Sequence, residues 1–218
     1  FHPVLDYLDS LVLDGIPLLY TWLIDTAEAE DSLYTRAVSS LVLVAMVRRV
    51  RDPGCKFDEL MILQGHQGGE KSSLLEALMP DPSWFSDSLP IGASGRETLE
   101  AMQGKWLGEI AELEGFGKRD HDACKAFLSR SKDNARMAYA RMASEVKRKW
   151  IAIATVNHDT ILSDDTGNRR YWPIRVGTCS PGKIRGIRDQ LWAEASTREA
   201  VGMSIRLDKS LWADAGAE

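Results

Sequence analysis

The sequence predicts an α/β protein, a mostly parallel sheet preceded by an N-terminal helical segment. Apolar residues first recur with helical spacing, short continuous apolar runs then begin at Leu60, Trp106 and Trp150, and helical stretches separate those runs. A strand buried on both faces requires such unbroken runs, and strands alternating with helices build parallel sheets.

Residues 1–52 read as the helical segment. Val4, Leu5, Leu8, Leu11 and Val12 fall at i, i+3/i+4, i+7 spacing, and Leu18, Leu19, Trp22 and Leu23 repeat it after the turn Asp14-Gly15-Ile16-Pro17. Asp31-Ser32 can cap a third helix carrying the run from Ala37 to Val47, and Asp52-Pro53-Gly54 stops it. Residues 53–218 read as the α/β core. Leu60-Met61-Ile62-Leu63, Trp106 to Ala111 and Trp150 to Thr155 predict strands, with helices at Ser72 to Leu78 and Asp120 to Ser129.

With 218 residues, 44% of them hydrophobic, and a net charge of −5, the chain can bury a sizeable core without disulfides or metals. Cys55, Cys124 and Cys179 show no CxxC spacing and the four histidines form no ligand pair, which points to a reducing cytoplasm and away from structural zinc. The run from Ala37 to Val47 is too short to span a bilayer, so no membrane is expected. No charged-then-apolar leader is present and the first residue is Phe1, so the chain reads as a piece of a longer polypeptide.

The first strand leads into Gly65-His66-Gln67-Gly68-Gly69-Glu70-Lys71-Ser72-Ser73, a near match to the P-loop pattern G-x-x-x-x-G-K-[ST]. Glycines let successive backbone N–H groups curl around phosphate oxygens, and the following helix adds its positive dipole end. Gly65, Gln67, Gly68, Gly69, Lys71, Ser72 and Ser73 are therefore the candidate ATP contacts, with Lys71 on the β- and γ-phosphates and Ser72 on Mg²⁺. Glu70 stands where the pattern has its second glycine. Pointing inward, about 4 Å from a phosphate charge, its carboxylate would cost about 4 kcal/mol at an effective dielectric of 20. Pointing outward it would do little, and the tight wrap of such a loop favours the inward orientation.

Hydrolysis also needs an acid at a neighbouring strand end and a group that orients water. Glu109 is the candidate for the metal side and Glu112 for the base, with the roles exchangeable and Glu114 a further candidate. Asn157, at the tip of the third strand, suits a γ-phosphate sensor. Arg169 and Arg170, in the turn from Asp165 to Pro173, can present forked guanidinium groups at a subunit boundary. Residues 130–149 hold seven basic and two acidic side chains in an otherwise acidic chain. Arg136, Arg141, Lys147, Arg148 and Lys149 could neutralise DNA phosphates there, and Tyr139 could stack on a base.

These pieces in this order resemble the virulence-associated E family of phage and plasmid P-loop ATPases, which are similar to superfamily 3 helicases and the AAA+ class. The likeness includes Phe1-His2-Pro3-Val4, Pro53-Gly54-Cys55-Lys56-Phe57, the glycine-rich loop, Trp84-Phe85-Ser86-Asp87, Gly104-Lys105-Trp106, Lys125-Ala126-Phe127-Leu128-Ser129, Asn157, and Asp165 through Pro173. It implies a P-loop fold in which Lys71 and Ser72 are the Walker A pair, Glu109 and Glu112 the Walker B acids, Asn157 the sensor, and Arg169 or Arg170 the arginine finger. It further implies ATP and Mg²⁺, single-stranded or forked DNA, a homo-oligomeric ring with a hexamer favoured, an upstream primase-like domain, and helicase or translocase activity in a bacterial or phage-infected cytoplasm. Two stretches depart from the pattern: Glu70, and Arg136-Met137-Ala138-Tyr139-Ala140-Arg141, where the family has a proline-containing sequence. The rival readings are a decayed nucleotide- or DNA-binding module that does not hydrolyse ATP, and a small-molecule kinase, which Asn157 and the paired arginines fit poorly.

Overall fold

The computed structural model describes residues 2–91, 94–111, 118–135, 144–157, 170–212 and 214. Seven strands are described: β1 (Leu60–Gln64), β2 (Phe85–Ser86), β3 (Leu107–Ala111), β4 (Lys132–Ala135), β5 (Ser144–Lys147), β6 (Ile151–Val156) and β7 (Tyr171–Arg175). Five of them form a sheet in the order β2-β3-β6-β1-β7, and every pairing in it is parallel. β4 and β5 pair separately as an antiparallel hairpin. The three predicted strands are β1, β3 and β6, each within one residue of its expected bounds.

The helices are α1 (Pro3–Ser10), α2 (Trp22–Ala27), α3 (Leu33–Arg51), α4 (Lys71–Leu78), α5 (Gly95–Met102), α6 (Lys118–Leu128) and α7 (Pro181–Ala200). Strand alternation sends Met61, Leu63, Leu107, Ile151, Ile153 and Trp172 into a core shared with α1 to α4 and α7. Leu60, Ile62, Ile110, Ala152 and Ala154 face the other way, onto Met102 of α5 and Cys124, Phe127 and Leu128 of α6. Helices thus cover both faces, as a parallel sheet requires.

The helical segment is built into the first core. Ser32 caps α3, its hydroxyl accepting the Thr35 N–H at 3.0 Å, and Leu41 to Val47 are buried on every side of the helix. Arg48 and Arg51 in its last turn pair with Glu199 of α7 at 3.2 and 2.8 Å. α1 ends at Ser10 rather than continuing to Val12, which is 80% exposed. Leu18 and Leu19 precede α2, and their N–H groups both donate to the buried Glu194 carboxylate of α7, at 2.8 and 2.9 Å. A second helix beginning at Leu18 gives way to this longer-range cap. Among the described residues no helix is long and apolar enough to cross a membrane.

The hairpin corrects one expectation. Neighbouring side chains of an extended chain point in opposite directions, so Lys147, Arg148 and Lys149 cannot share a face. Arg148 turns inward: its guanidinium forms a two-pronged pair with Asp133 at 2.8 and 2.7 Å and donates to the Phe127 carbonyl at 2.7 Å. It lies 4.4 and 4.6 Å from the Phe127 and Trp150 ring centres. Both members of the pair are buried, at 2% and 1% side-chain exposure, so Arg148 anchors the hairpin and is not available to a DNA backbone. Lys147 and Lys149 are exposed, while Arg136, Tyr139 and Arg141 lie outside the described residues. Asp133→Ala should strand the buried guanidinium and destabilise the protein by about 3–5 kcal/mol in urea unfolding; a loss below about 1 kcal/mol would mean the anchor is not needed.

Candidate functional site

The glycine-rich loop leaves the C-terminal end of β1, beside the C-terminal end of β6. The Gly65 N–H donates to the Val156 carbonyl at 3.2 Å. A Cβ on Gly65 would sit 2.7 Å from the Val176 carbonyl oxygen, so only glycine lets the loop pass the segment after β7. That segment holds the loop from outside, the Cys179 N–H donating to the Gly69 carbonyl at 3.0 Å. Cys179 is buried here and its thiol is pushed up to about 11, chiefly by burial and against the pull of Lys71, so it stays protonated and structural.

Glu70 occupies the glycine position in glycine's conformation. Its φ of 56° and ψ of 28° are left-handed, a region that costs a side-chain-bearing residue about 1 kcal/mol. The loop's demand at this point is conformational, and Glu70 meets it with its side chain exposed at the rim. Lys71 does turn inward: it is 8% exposed, and its ammonium donates to the carbonyls of Gly65 and His66, both at 2.8 Å.

Across the loop mouth stands Glu109, on the core face of β3 and only 1% exposed. Its Oε1 accepts the Ser72 hydroxyl from the first turn of α4 at 2.6 Å and the Thr155 hydroxyl from β6 at 2.6 Å. Both are short, as expected of hydroxyls donating to a carboxylate. The β3–β6 register pairs Glu109 with Ile153 and Ala111 with Thr155, so Thr155 is the diagonal neighbour on the same face. A cleft of about 440 Å³ opens here, lined by the loop from Gln67 to Ser73 and by Ala111, Thr155, Val156 and Asn157. The cleft lies beyond the C-terminal ends of the adjacent parallel strands β1 and β6, a position parallel sheets use for ligands.

The structure thus brings Gly65, Gln67, Gly68, Gly69, Lys71, Ser72, Ser73, Glu109 and Asn157 together. Thr155 belongs with them and was not singled out from the sequence; its signal is a hydroxyl near the end of an otherwise apolar strand. Arg170 is elsewhere, at the start of β7, where its guanidinium donates to Ser129 Oγ at 3.2 Å and its carbonyl accepts the Leu60 N–H at 2.7 Å. The length of β1 separates it from the loop, about 13 Å at strand rise. Glu112, Glu114 and Arg169 lie outside the described residues. Chemically, the cleft combines a cation, a helix N-terminus and curled backbone with a hydroxyl–carboxylate pair, a set suited to a polyanion accompanied by a hard cation.

Fold and cleft together define a parallel α/β protein with a cleft at its strand ends. Residues 8–216 match the virulence-associated protein E-like domain, and the chain belongs to that family, as its motifs imply. No curated protein sequence matches it. Among solved structures it is similar to the A form of the apo NrS-1 C-terminal region, with a TM-score of 0.61 at 12% identity over 97% of this chain and 53% of that one. A second apo structure of the NrS-1 C-terminal region gives 0.58 at 11% identity, with the same coverage. The chain spans about half the length of these structures, and at such identity the likeness is one of fold.

Because Glu70 pays a left-handed penalty with no compensating contact of its side chain in the described hydrogen bonds, Glu70→Gly should raise stability in urea unfolding. The gain is at most about 0.5 kcal/mol, the penalty of about 1 kcal/mol less the roughly 0.5–1 kcal/mol of entropy glycine adds to the unfolded chain. A loss of 1 kcal/mol or more, as order of magnitude on the same scale, would contradict this reading of the loop.

Proposed function

We propose that the chain is a P-loop ATPase core of the AAA+ or superfamily 3 helicase type, driving DNA unwinding or translocation in phage, prophage or plasmid replication. The observation that carries this reading is the convergence of Ser72, Glu109 and Thr155 at the mouth of the glycine-rich loop. The sheet order supports it as well: the loop-bearing strand β1 and the acid-bearing strand β3 are separated by one strand, β6, that ends in polar groups over the cleft.

In this reading the loop N–H groups hold the ATP phosphates, and Lys71 exchanges its two carbonyl partners for the β- and γ-phosphates. The residues present fit Mg²⁺, which takes oxygen ligands and keeps few from the protein, so a hydroxyl and a carboxylate suffice. When bound, Mg²⁺ offsets charge on the phosphates. Glu109 and Ser72 hold the metal side, Thr155 keeps the Glu109 carboxylate oriented, and Asn157 and Glu112 position the attacking water. The left-handed backbone at Glu70, the conformation a glycine would take there, supports a working ATPase over a decayed module.

Arg170 stands at the opposite end of the sheet from its own cleft, so it can complete a site only in a neighbouring copy. That calls for head-to-tail contacts, which close into a ring; a hexamer with Arg169 or Arg170 as the finger is the form we favour. Single-stranded or forked DNA would contact Lys147, Lys149, Arg136, Arg141 and Tyr139. An upstream primase-like domain and a cytoplasmic setting complete the proposal.

Lys71→Ala and Glu109→Gln should each lower ATP turnover at least 100-fold, about 2.7 kcal/mol, in a phosphate-release assay. Lys71→Ala should also weaken nucleotide binding, whereas Glu109→Gln should retain it. Parent-level turnover in both variants would sink the ATPase assignment.

A further inference from the structure

A second cavity, of about 550 Å³, lies at the other end of the sheet, where β3 and β6 begin. Its wall is apolar and includes Trp84, Trp106 and Leu99, and its rim carries Lys105, Lys147 and Lys149. Trp84 is half-buried and held edge-on, with ring centres 6.0 Å from Tyr7 and 6.2 Å from Trp106. It therefore presents a fixed aromatic surface to the opening.

The charges around this opening are unbalanced. Among the described residues Lys105, Lys147 and Lys149 have no acidic partner within ion-pair distance, although the chain as a whole is acidic. Asp133, which also lines the cavity, is held by Arg148. Lys147 and Lys149 stand two residues apart in extended chain, about 7 Å, with Arg148 turned inward between them. An aromatic-walled pocket under a row of unpaired cations complements a ligand that carries flat rings on a regularly charged backbone. A duplex hides the faces of its bases, and a single strand exposes them.

We propose that this cavity takes one unpaired base of a single DNA strand whose phosphates lie on Lys105, Lys147 and Lys149. This rests on the reading that the chain acts on DNA and adds to it a base-holding site remote from the nucleotide cleft. The site grips by ring contact and charge, so it accepts any sequence, as a translocating protein needs.

The test is fluorescence anisotropy, without nucleotide, of labelled oligothymidylate and of an abasic strand of equal length, against the parent, Leu99→Trp, and the double variant Lys147→Ala, Lys149→Ala. The parent should bind oligothymidylate at least tenfold more tightly than the abasic strand, and only the former should quench tryptophan emission. Leu99→Trp, filling the pocket, should bind both strands at the parent's abasic level. The double lysine variant should weaken both and lower the salt slope by about 0.7 per lysine. Equal, salt-dependent binding of both strands by the parent would overturn the base pocket while leaving the DNA reading standing; no binding of either strand would overturn both. Thymidine monophosphate binding as tightly as the oligomer would assign the cavity to a free nucleotide, and loss of self-association in Leu99→Trp would assign it to contact between copies. Either result would also overturn the proposal. The comparison of the two strands on the parent stands even if a variant fails to fold.

Discussion

The buried carboxylate of Glu109 is the constraint around which this molecule is arranged. A carboxyl group at 1% exposure on the core face of a sheet needs hydrogen-bond partners. Glu109 finds two hydroxyls, one from a strand and one from a helix. Thr155 can reach it only if β6 lies beside β3 in the observed register. Ser72 can reach it only if α4 begins immediately beyond the loop, which forces the chain between Gly65 and Lys71 into a tight curl. The left-handed backbone at Glu70 and the missing Cβ at Gly65 follow from that curl.

The same strand joins the two ends of the protein. β6 begins next to Trp150 and Lys149, at the rim of the apolar cavity, and ends at Thr155 and Asn157 over the cleft. The hairpin that brings the lysines to that rim is pinned by Arg148 and Asp133 against Phe127 and Trp150. In the proposed reading, the nucleotide cleft and the base-holding cavity would share β6 as a common rigid element.

Much of this was legible in the residues. Continuous apolar runs located β1, β3 and β6, and the glycine-rich stretch from Gly65 to Ser73 located the cleft, because burial and tight turns leave local marks. What escaped depended on longer-range structure. β7 contains Pro173, which reads as a turn, yet β7 is an edge strand, where a missing N–H is tolerated. α5 carries a capping box, Ser94 with Glu97, but its helix is short and mostly polar, so no apolar periodicity marks it. Arg148 looked like its lysine neighbours, since composition does not show which side chain of an extended run turns inward. The left-handed backbone at Glu70 was not legible because a residue letter gives its charge and not its φ. Thr155 reads from the sequence only as the end of a strand, because its partner, Glu109, is 46 residues away.

The most direct test of the central claim is calorimetric titration of ATP into the parent and into Ser72→Ala, each with Mg²⁺ and with the metal chelated. If Ser72 and Glu109 form the metal side of a nucleotide site, Mg²⁺ should tighten ATP binding to the parent by tenfold or more, about 1.4 kcal/mol, and should have little effect on Ser72→Ala. An equal Mg²⁺ effect in both proteins, or no ATP binding to the parent, would contradict it.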